Sequence, residues 1–203
     1  MDPLASFSPA TRKWFENAFE GPTPPQTLGW PAIAAGGHVL IQAPTGSGKT
    51  LTAFLSAIDR LTATPGEGLR VLYVSPLKAL NYDIERNLRG PLAGLQSSLR
   101  VGVRTGDTSP RERRELAKEP PDILITTPES LFLMLTSAAR DSLRTIDTLI
   151  LDEVHALAGT KRGSHLALSI ERLERITHTP PQDRKSTRLN SSHTDISRMP
   201  SSA

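Results

Sequence analysis

From residue 39 onward, short runs of β-branched and leucine residues alternate with stretches whose apolar positions recur at helical spacing. That is the pattern of strand–helix units around a buried parallel sheet. Five strands are expected, at Val39–Ala43, Val71–Ser75, Val101–Thr105, Ile123–Thr126 and Thr148–Leu151. They are nearly all apolar, whereas a strand with one wet face would alternate. Leu51, Phe54, Leu55, Ile58 and Leu61 fall at i, i+3, i+4, i+7 and i+10, and Leu77, Leu80, Ile84 and Leu88 make a similar stripe. Both spacings predict amphipathic helices packed on the sheet. Leu166, Ile170 and Leu173 predict a last helix, and the proline-rich Gly21–Pro25 predicts a rigid turn closing an N-terminal helix around Trp14 and Phe15. No internal repeat is visible, and the fold class implied is α/β, a mostly parallel sheet flanked by helices.

The chain's 203 residues suit one domain and a tail. The absence of cysteine excludes disulfides, thiolate zinc sites, iron–sulfur clusters and cysteine nucleophiles, and it suits the cytoplasm, the expected location. No run is long and apolar enough for a membrane span, so no membrane partner is expected. A formal net charge of +3 is too small to argue for nucleic acid by itself. Residues 183–203 hold six serines and four apolar residues, too few to offset the entropy of ordering them. They are expected to be a disordered tail outside a domain spanning 1–182. Arg184 to His193 resembles translated sequencing-adapter read-through, so the tail is expected to be non-native and the domain incomplete.

Ala43-Pro44-Thr45-Gly46-Ser47-Gly48-Lys49-Thr50 follows the first strand and opens the first amphipathic helix, the context that a phosphate-binding loop requires. Gly46 and Gly48 permit a tight turn that aims backbone N–H groups at one point, at a helix N-terminus whose dipole favours an anion. Thr45, Gly46, Ser47, Gly48, Lys49 and Thr50 are therefore the expected ATP cradle. Lys49 is expected on the β and γ phosphates and the Thr50 hydroxyl on Mg²⁺. Ala43 departs from the strict pattern, which has glycine there. About one hundred residues later the fifth strand ends in Asp152-Glu153-Val154-His155, and ligands of parallel sheets sit at the carboxyl ends of the strands. Asp152 is expected to hold Mg²⁺ through water, and Glu153 to orient or deprotonate the water attacking the γ phosphate. By itself, an Asp-Glu pair after an apolar run is equally a helix N-cap.

Together the loop and Asp152-Glu153-Val154-His155 resemble the superfamily 2 helicases of DExH type. Thr23-Pro24-Pro25-Gln26, Ser75 to Leu80, Arg104 to Asp107, Thr126 to Leu131 and Lys161-Arg162-Gly163 look like the first domain of the large helicase-related (Lhr) proteins. The likeness covers about residues 4 to 182. It implies a RecA-like P-loop domain, ATP and Mg²⁺ as cofactors, and nucleic acid as a partner held by its backbone. Gln26 resembles the adenine-reading glutamine, with Phe19 as a packing partner for the base; taken alone, Gln26 is an ordinary surface amide. Pro76, Lys78, Thr105, Gly106, Thr127, Pro128 and Ser130 match strand-tracking motifs, although Thr126 to Glu129 also satisfies a helix-capping pattern. His155 looks like the residue coupling the ATP site to a second RecA-like domain, or is a satisfied polar group. Arg111 to Glu115 reads as a solvated helical face.

The same resemblance implies a repair-associated DNA translocase moving 3′ to 5′. It also implies that a further strand and a second RecA-like domain with arginine fingers are missing from these 203 residues. ATP hydrolysis is then expected to be slow and unwinding absent. A non-catalytic ATP-binding module and a P-loop kinase acting on a small molecule are the competing classes.

Overall fold

The computed structural model describes residues 2–178, 181–187 and 195–198. The sheet runs in the order β3-β4-β2-β5-β6-β1-β7, built from β1 (Val39–Gln42), β2 (Val71–Val74), β3 (Val101–Arg104), β4 (Ile123–Thr126), β5 (Thr148–Leu151), β6 (Gln182–Thr187) and β7 (Asp195–Arg198). Strands β1 to β6 are mutually parallel, and β7 runs antiparallel on β1. The first five strands lie within a residue of their expected ends.

Successive side chains on a strand point to opposite faces, and both faces here are apolar. Leu72, Val74, Leu124, Leu149 and Leu151 enter one core, while Val71, Tyr73, Ile123, Ile125 and Ile150 enter the other. Helices α3 (Lys49–Ala63) and α4 (Lys78–Gly94) cover the second face with Phe54, Ile58, Ile84 and Leu88. The first face is covered by α6 (Pro128–Leu135) and α8 (Lys161–Glu174) with Leu131, Met134, Leu166 and Leu173. A third cluster packs Phe7, Phe15 and Trp30 against Val39, Ile41 and Leu55, and so seats α1 (Pro9–Ala18) and α2 (Pro24–Ala34) on β1 and α3. The exposed α5 (Pro110–Lys118) carries no buried residue, as its mixed charges suggest, and the short α7 (Val154–Leu157) follows β5.

Two expectations are corrected. Gly21–Pro25 is only partly a turn, because Pro24 and Pro25 form the first turn of α2. Their missing N–H groups cost nothing there, where no intrahelical acceptor exists. The sheet also does not stop at β5 with a disordered tail after 182. The backbone of Gln182–Thr187 fills the slot between β5 and β1, pairing Ile150 with Arg184 and Ile41 with Ser186, and Asp195–Arg198 pairs with the far side of β1. Ladder hydrogen bonds are made by main chain, and facing strand edges demand partners whatever side chains the pairing strand carries. Apolar content, the basis of the expectation, does not register that demand. The rest of the expected tail, 188–194 and 199–203, lies outside the described residues.

Candidate nucleotide and nucleic-acid site

Because β1 to β5 are parallel, the segments that follow them emerge at one edge of the sheet. The phosphate loop follows β1, Pro76 follows β2, Thr105 follows β3, Thr127 follows β4 and Asp152 follows β5. The loop turns through left-handed backbone at Gly46 (φ 79°) and Gly48 (φ 86°), conformations that glycine adopts without strain. Gly48 caps α3, so Lys49 and Thr50 begin the helix. The Lys49 ammonium donates to the carbonyl oxygens of Ala43 and Pro44. The Ser47 hydroxyl donates to the Pro44 carbonyl at 2.6 Å.

A cleft of about 840 Å³ brings together Phe19, Gln26, Thr45, Gly46, Gly48, Lys49, Thr50, Asp152 and Glu153. Of the residues expected to bind or cleave ATP, Ser47 alone is not on its wall. Gln26 is buried, and its Oε1 accepts from the Thr23 backbone N–H at 2.9 Å. A Cβ on Gly48 would lie 2.8 Å from Gln26 Nε2 and 3.1 Å from Thr23 Oγ1, so the start of α2 is packed directly on the loop. Phe19 is 43% exposed and lies against Phe15 with ring centroids 4.8 Å apart.

Glu153 holds a left-handed backbone (φ 52°), a conformation that costs a non-glycine residue roughly 1–3 kcal/mol and is concentrated at functional sites. Its Oε2 lies 3.2 Å from His155 Nε2. The Asp152 carboxylate is held at both oxygens: Oδ1 accepts from the Glu153 N–H at 2.9 Å and Oδ2 from the Tyr73 hydroxyl at 2.5 Å. Burial, and then the charge of Asp152, push the Tyr73 phenol far above its ordinary range, so it stays protonated and donates.

The expected nucleic-acid residues share that edge, yet several of their side chains are engaged within the fold. Thr127 caps α6 by accepting from the Ser130 N–H at 3.3 Å, and its hydroxyl donates to Ser130 Oγ at 3.2 Å. Pro128 is the first residue of that helix. Thr105 is buried and accepts from the Asp107 N–H at 3.2 Å. The Lys78 ammonium is paired with Asp107 at 2.7 Å, beside Gly106, where a Cβ would lie 3.3 Å from Lys78 Nζ. The Pro76 carbonyl accepts from Arg162 Nη2 at 3.2 Å, and Arg162 Nε donates to Glu129 at 2.7 Å. Burial opposes ionisation of Glu129, but the hydrogen bonds from Arg162, its own backbone N–H and Thr127, together with the Arg162 charge, hold the carboxyl below its usual value. Sequence reasoning missed the Tyr73–Asp152 and Arg162–Pro76 links. The one signal for the first is a phenol in the otherwise aliphatic strand Val71–Val74.

No helix among the described residues is long and apolar enough to cross a membrane. The family model of the DEAD/DEAH box helicases matches residues 23–193. A protein of Mycolicibacterium smegmatis described as "Lhr helicase/ probable uracil glycosylase" is 58% identical over 194 residues, 89% of this chain and 13% of that protein. The Escherichia coli "Lhr helicase/uracil glycosylase" is 54% identical over 195 residues, 87% of this chain and again 13% of its relative. The chain thus spans about an eighth of the length of these curated relatives. Among solved structures, Mycobacterium smegmatis helicase Lhr bound to ssDNA and AMP-PNP superposes with a TM-score of 0.89 at 57% identity, over 92% of this chain and 25% of that one.

Proposed function

The chain belongs to the DEAD/DEAH box helicases, and from that premise we propose that its described residues form the ATP-binding RecA-like motor domain of an Lhr-type DNA helicase of the cytoplasm. One observation carries this reading: a single cleft is walled by the phosphate loop on one side and by Asp152 and Glu153 on the other, with Gln26 beside the loop. The solved Lhr relative was captured with ssDNA and AMP-PNP, which supports both ligands for this chain.

In this reading the triphosphate lies on the backbone N–H groups at the start of α3, and Lys49 turns from the Ala43 and Pro44 carbonyls to the β and γ phosphates. Gln26 and Phe19 hold the adenine. The donor set suits Mg²⁺: the Thr50 hydroxyl and the Asp152 carboxylate are hard oxygen ligands. Among the described residues no three His, Cys, Asp or Glu side chains converge, in keeping with an ion that shares its shell with phosphate and water rather than an all-protein cage. When bound, Mg²⁺ neutralises charge on the β and γ phosphates. Glu153 orients the attacking water and takes its proton as the γ-phosphoryl group leaves ADP, and His155 couples that carboxylate to a second RecA-like domain.

Nucleic acid is gripped through its sugar–phosphate backbone across the starts of α4 and α6 and the turn after β3. Pro76, Lys78, Thr105, Gly106, Thr127, Pro128 and Ser130 shape that track, which carries little sequence preference. Since the Thr127 hydroxyl already caps α6 by bonding the Ser130 N–H and hydroxyl, the start of α4, which no side chain caps, supplies much of the grip through its N–H groups. Fast hydrolysis and unwinding require a second RecA-like domain with its arginine fingers, worth roughly 10³ to 10⁵ in rate.

The test is ATP turnover with and without single-stranded DNA, in the wild type and in Glu153→Gln. Slow, DNA-stimulated phosphate release that Glu153→Gln lowers on the order of a hundredfold, with nucleotide binding retained, is the expected result. Turnover retained in Glu153→Gln would refute the assigned base, and DNA-independent transfer of phosphate to a small acceptor would make the protein a kinase.

A further inference from the structure

We propose that Tyr73 is the positioning residue for Asp152, fixing the carboxylate in the orientation from which it takes Mg²⁺ beside Thr50; this rests on the ATP-binding reading above. Tyr73 lies on β2 in register with Ile150, two residues before Asp152 on the neighbouring strand. Its ring stacks on Phe54, with centroids 5.3 Å apart and planes inclined by 29°. Phe54 stands on α3 four residues after Thr50, on the same helix and about one turn away. The phenol therefore braces one expected metal ligand against the helix that carries the other.

Packing does not explain the hydroxyl. Tyr73 is 2% exposed within a core of Phe54, Ile58, Ile125 and Ile150, where phenylalanine would fill the same space with no polar group to desolvate. The hydroxyl is buried at a cost that its hydrogen bond to Asp152 Oδ2, 2.5 Å long, offsets. With the Glu153 N–H on Oδ1, both carboxylate oxygens are fixed by donors and neither is free to swing. Partners that orient a ligating carboxylate in this way commonly contribute 10- to 100-fold in metal affinity. An ion held also by phosphates and water should feel the lower end of that range.

Tyr73→Phe keeps the ring and its stack and removes only the hydroxyl. The experiment measures binding of a fluorescent, non-hydrolysable ATP analogue to the 203-residue chain, first in EDTA and then across a Mg²⁺ titration. Affinity in EDTA is expected to equal the wild type's, while the Mg²⁺ concentration giving half of the metal-dependent gain rises roughly tenfold. In an Asp152→Asn background the same substitution is expected to add nothing, because the hydroxyl acts only through that carboxylate. Superimposable Mg²⁺ curves for Tyr73→Phe and wild type, with nucleotide binding intact, would overturn this inference and leave the ATP-binding reading standing. An undiminished Tyr73→Phe shift in the Asp152→Asn background would also overturn it. A wild-type chain that binds no nucleotide at any Mg²⁺ concentration would overturn both.

Discussion

Gly48 meets two constraints at once. Its φ of 86° is one that side chains rarely adopt, and its α-carbon faces Gln26 and Thr23 so closely that a Cβ would lie 2.8 Å from the Gln26 amide nitrogen. Gly48→Ala is therefore expected to lower stability by about 1–3 kcal/mol and to weaken ATP binding at least roughly tenfold by moving the loop off the triphosphate, checked by denaturant unfolding and nucleotide titration. Lys78 makes a different kind of prediction. Its ammonium is held by Asp107 in an exposed pair, an interaction worth no more than about 1 kcal/mol. Asp107→Asn frees that cation for a phosphate, so affinity for single-stranded DNA should rise and the slope of log affinity against log salt should steepen by about 0.7. Fluorescence anisotropy with a labelled oligonucleotide reads both, and an unchanged slope would remove Lys78 from the track. What was legible at this scale is contiguous in the chain: the phosphate loop is eight consecutive residues and the acidic pair two. Tyr73 and Asp152 are 79 positions apart, and Arg162 and Pro76 are 86. Only the register of β2 on β5 and the packing of α8 bring those partners together, and no local pattern encodes either.

The elements are pinned at the sheet edge opposite the cleft as well as at the site. Asp147, just before β5, receives hydrogen bonds from Arg60 of α3, from Arg70 before β2 and from the Thr148 hydroxyl, with the Arg60 Nη1 and Arg70 Nε contacts at 2.9 and 2.7 Å. Burial opposes its ionisation, but the hydrogen bonds and charge of Arg60, joined by Arg70 and Thr148, hold its carboxyl below the ordinary 3.8. A carboxyl depressed in the folded state contributes stability that is complete above its unfolded value and is lost as pH falls through its folded one. Asp147→Asn should therefore cost about 1–2 kcal/mol at neutral pH, a figure discounted for its partial exposure. The deficit should shrink as pH drops below the ordinary carboxylate value, and urea midpoints measured across the acid range would show it. Element positions were largely legible, because apolar runs and helical stripes report burial directly. The exceptions are instructive: Pro24 and Pro25 read as turn residues but begin α2, since proline marks a helix start as readily as a break. The left-handed Glu153 has no sequence signature at all.

At the scale of the whole molecule, β6 sets a run of polar residues inside the sheet, between β5 and β1. Its backbone pairs Leu149, Ile150 and Leu151 with Asp183, Arg184 and Lys185, a position that such sheets fill with apolar residues because both faces are covered. The order β5-β6-β1 thus sets β6 between the strand that leads to Asp152 and the strand that leads into the phosphate loop.

The central claim, that this fold binds Mg-ATP between the loop after β1 and the acids after β5, is tested most directly by isothermal titration of Mg-ATP into the wild-type chain and into Lys49→Ala. The account predicts saturable one-to-one binding by the wild type and a loss of roughly 3 kcal/mol, about two orders of magnitude in affinity, in Lys49→Ala with its melting temperature preserved. Equal affinities in the two proteins, or no binding by a folded wild type, would contradict it.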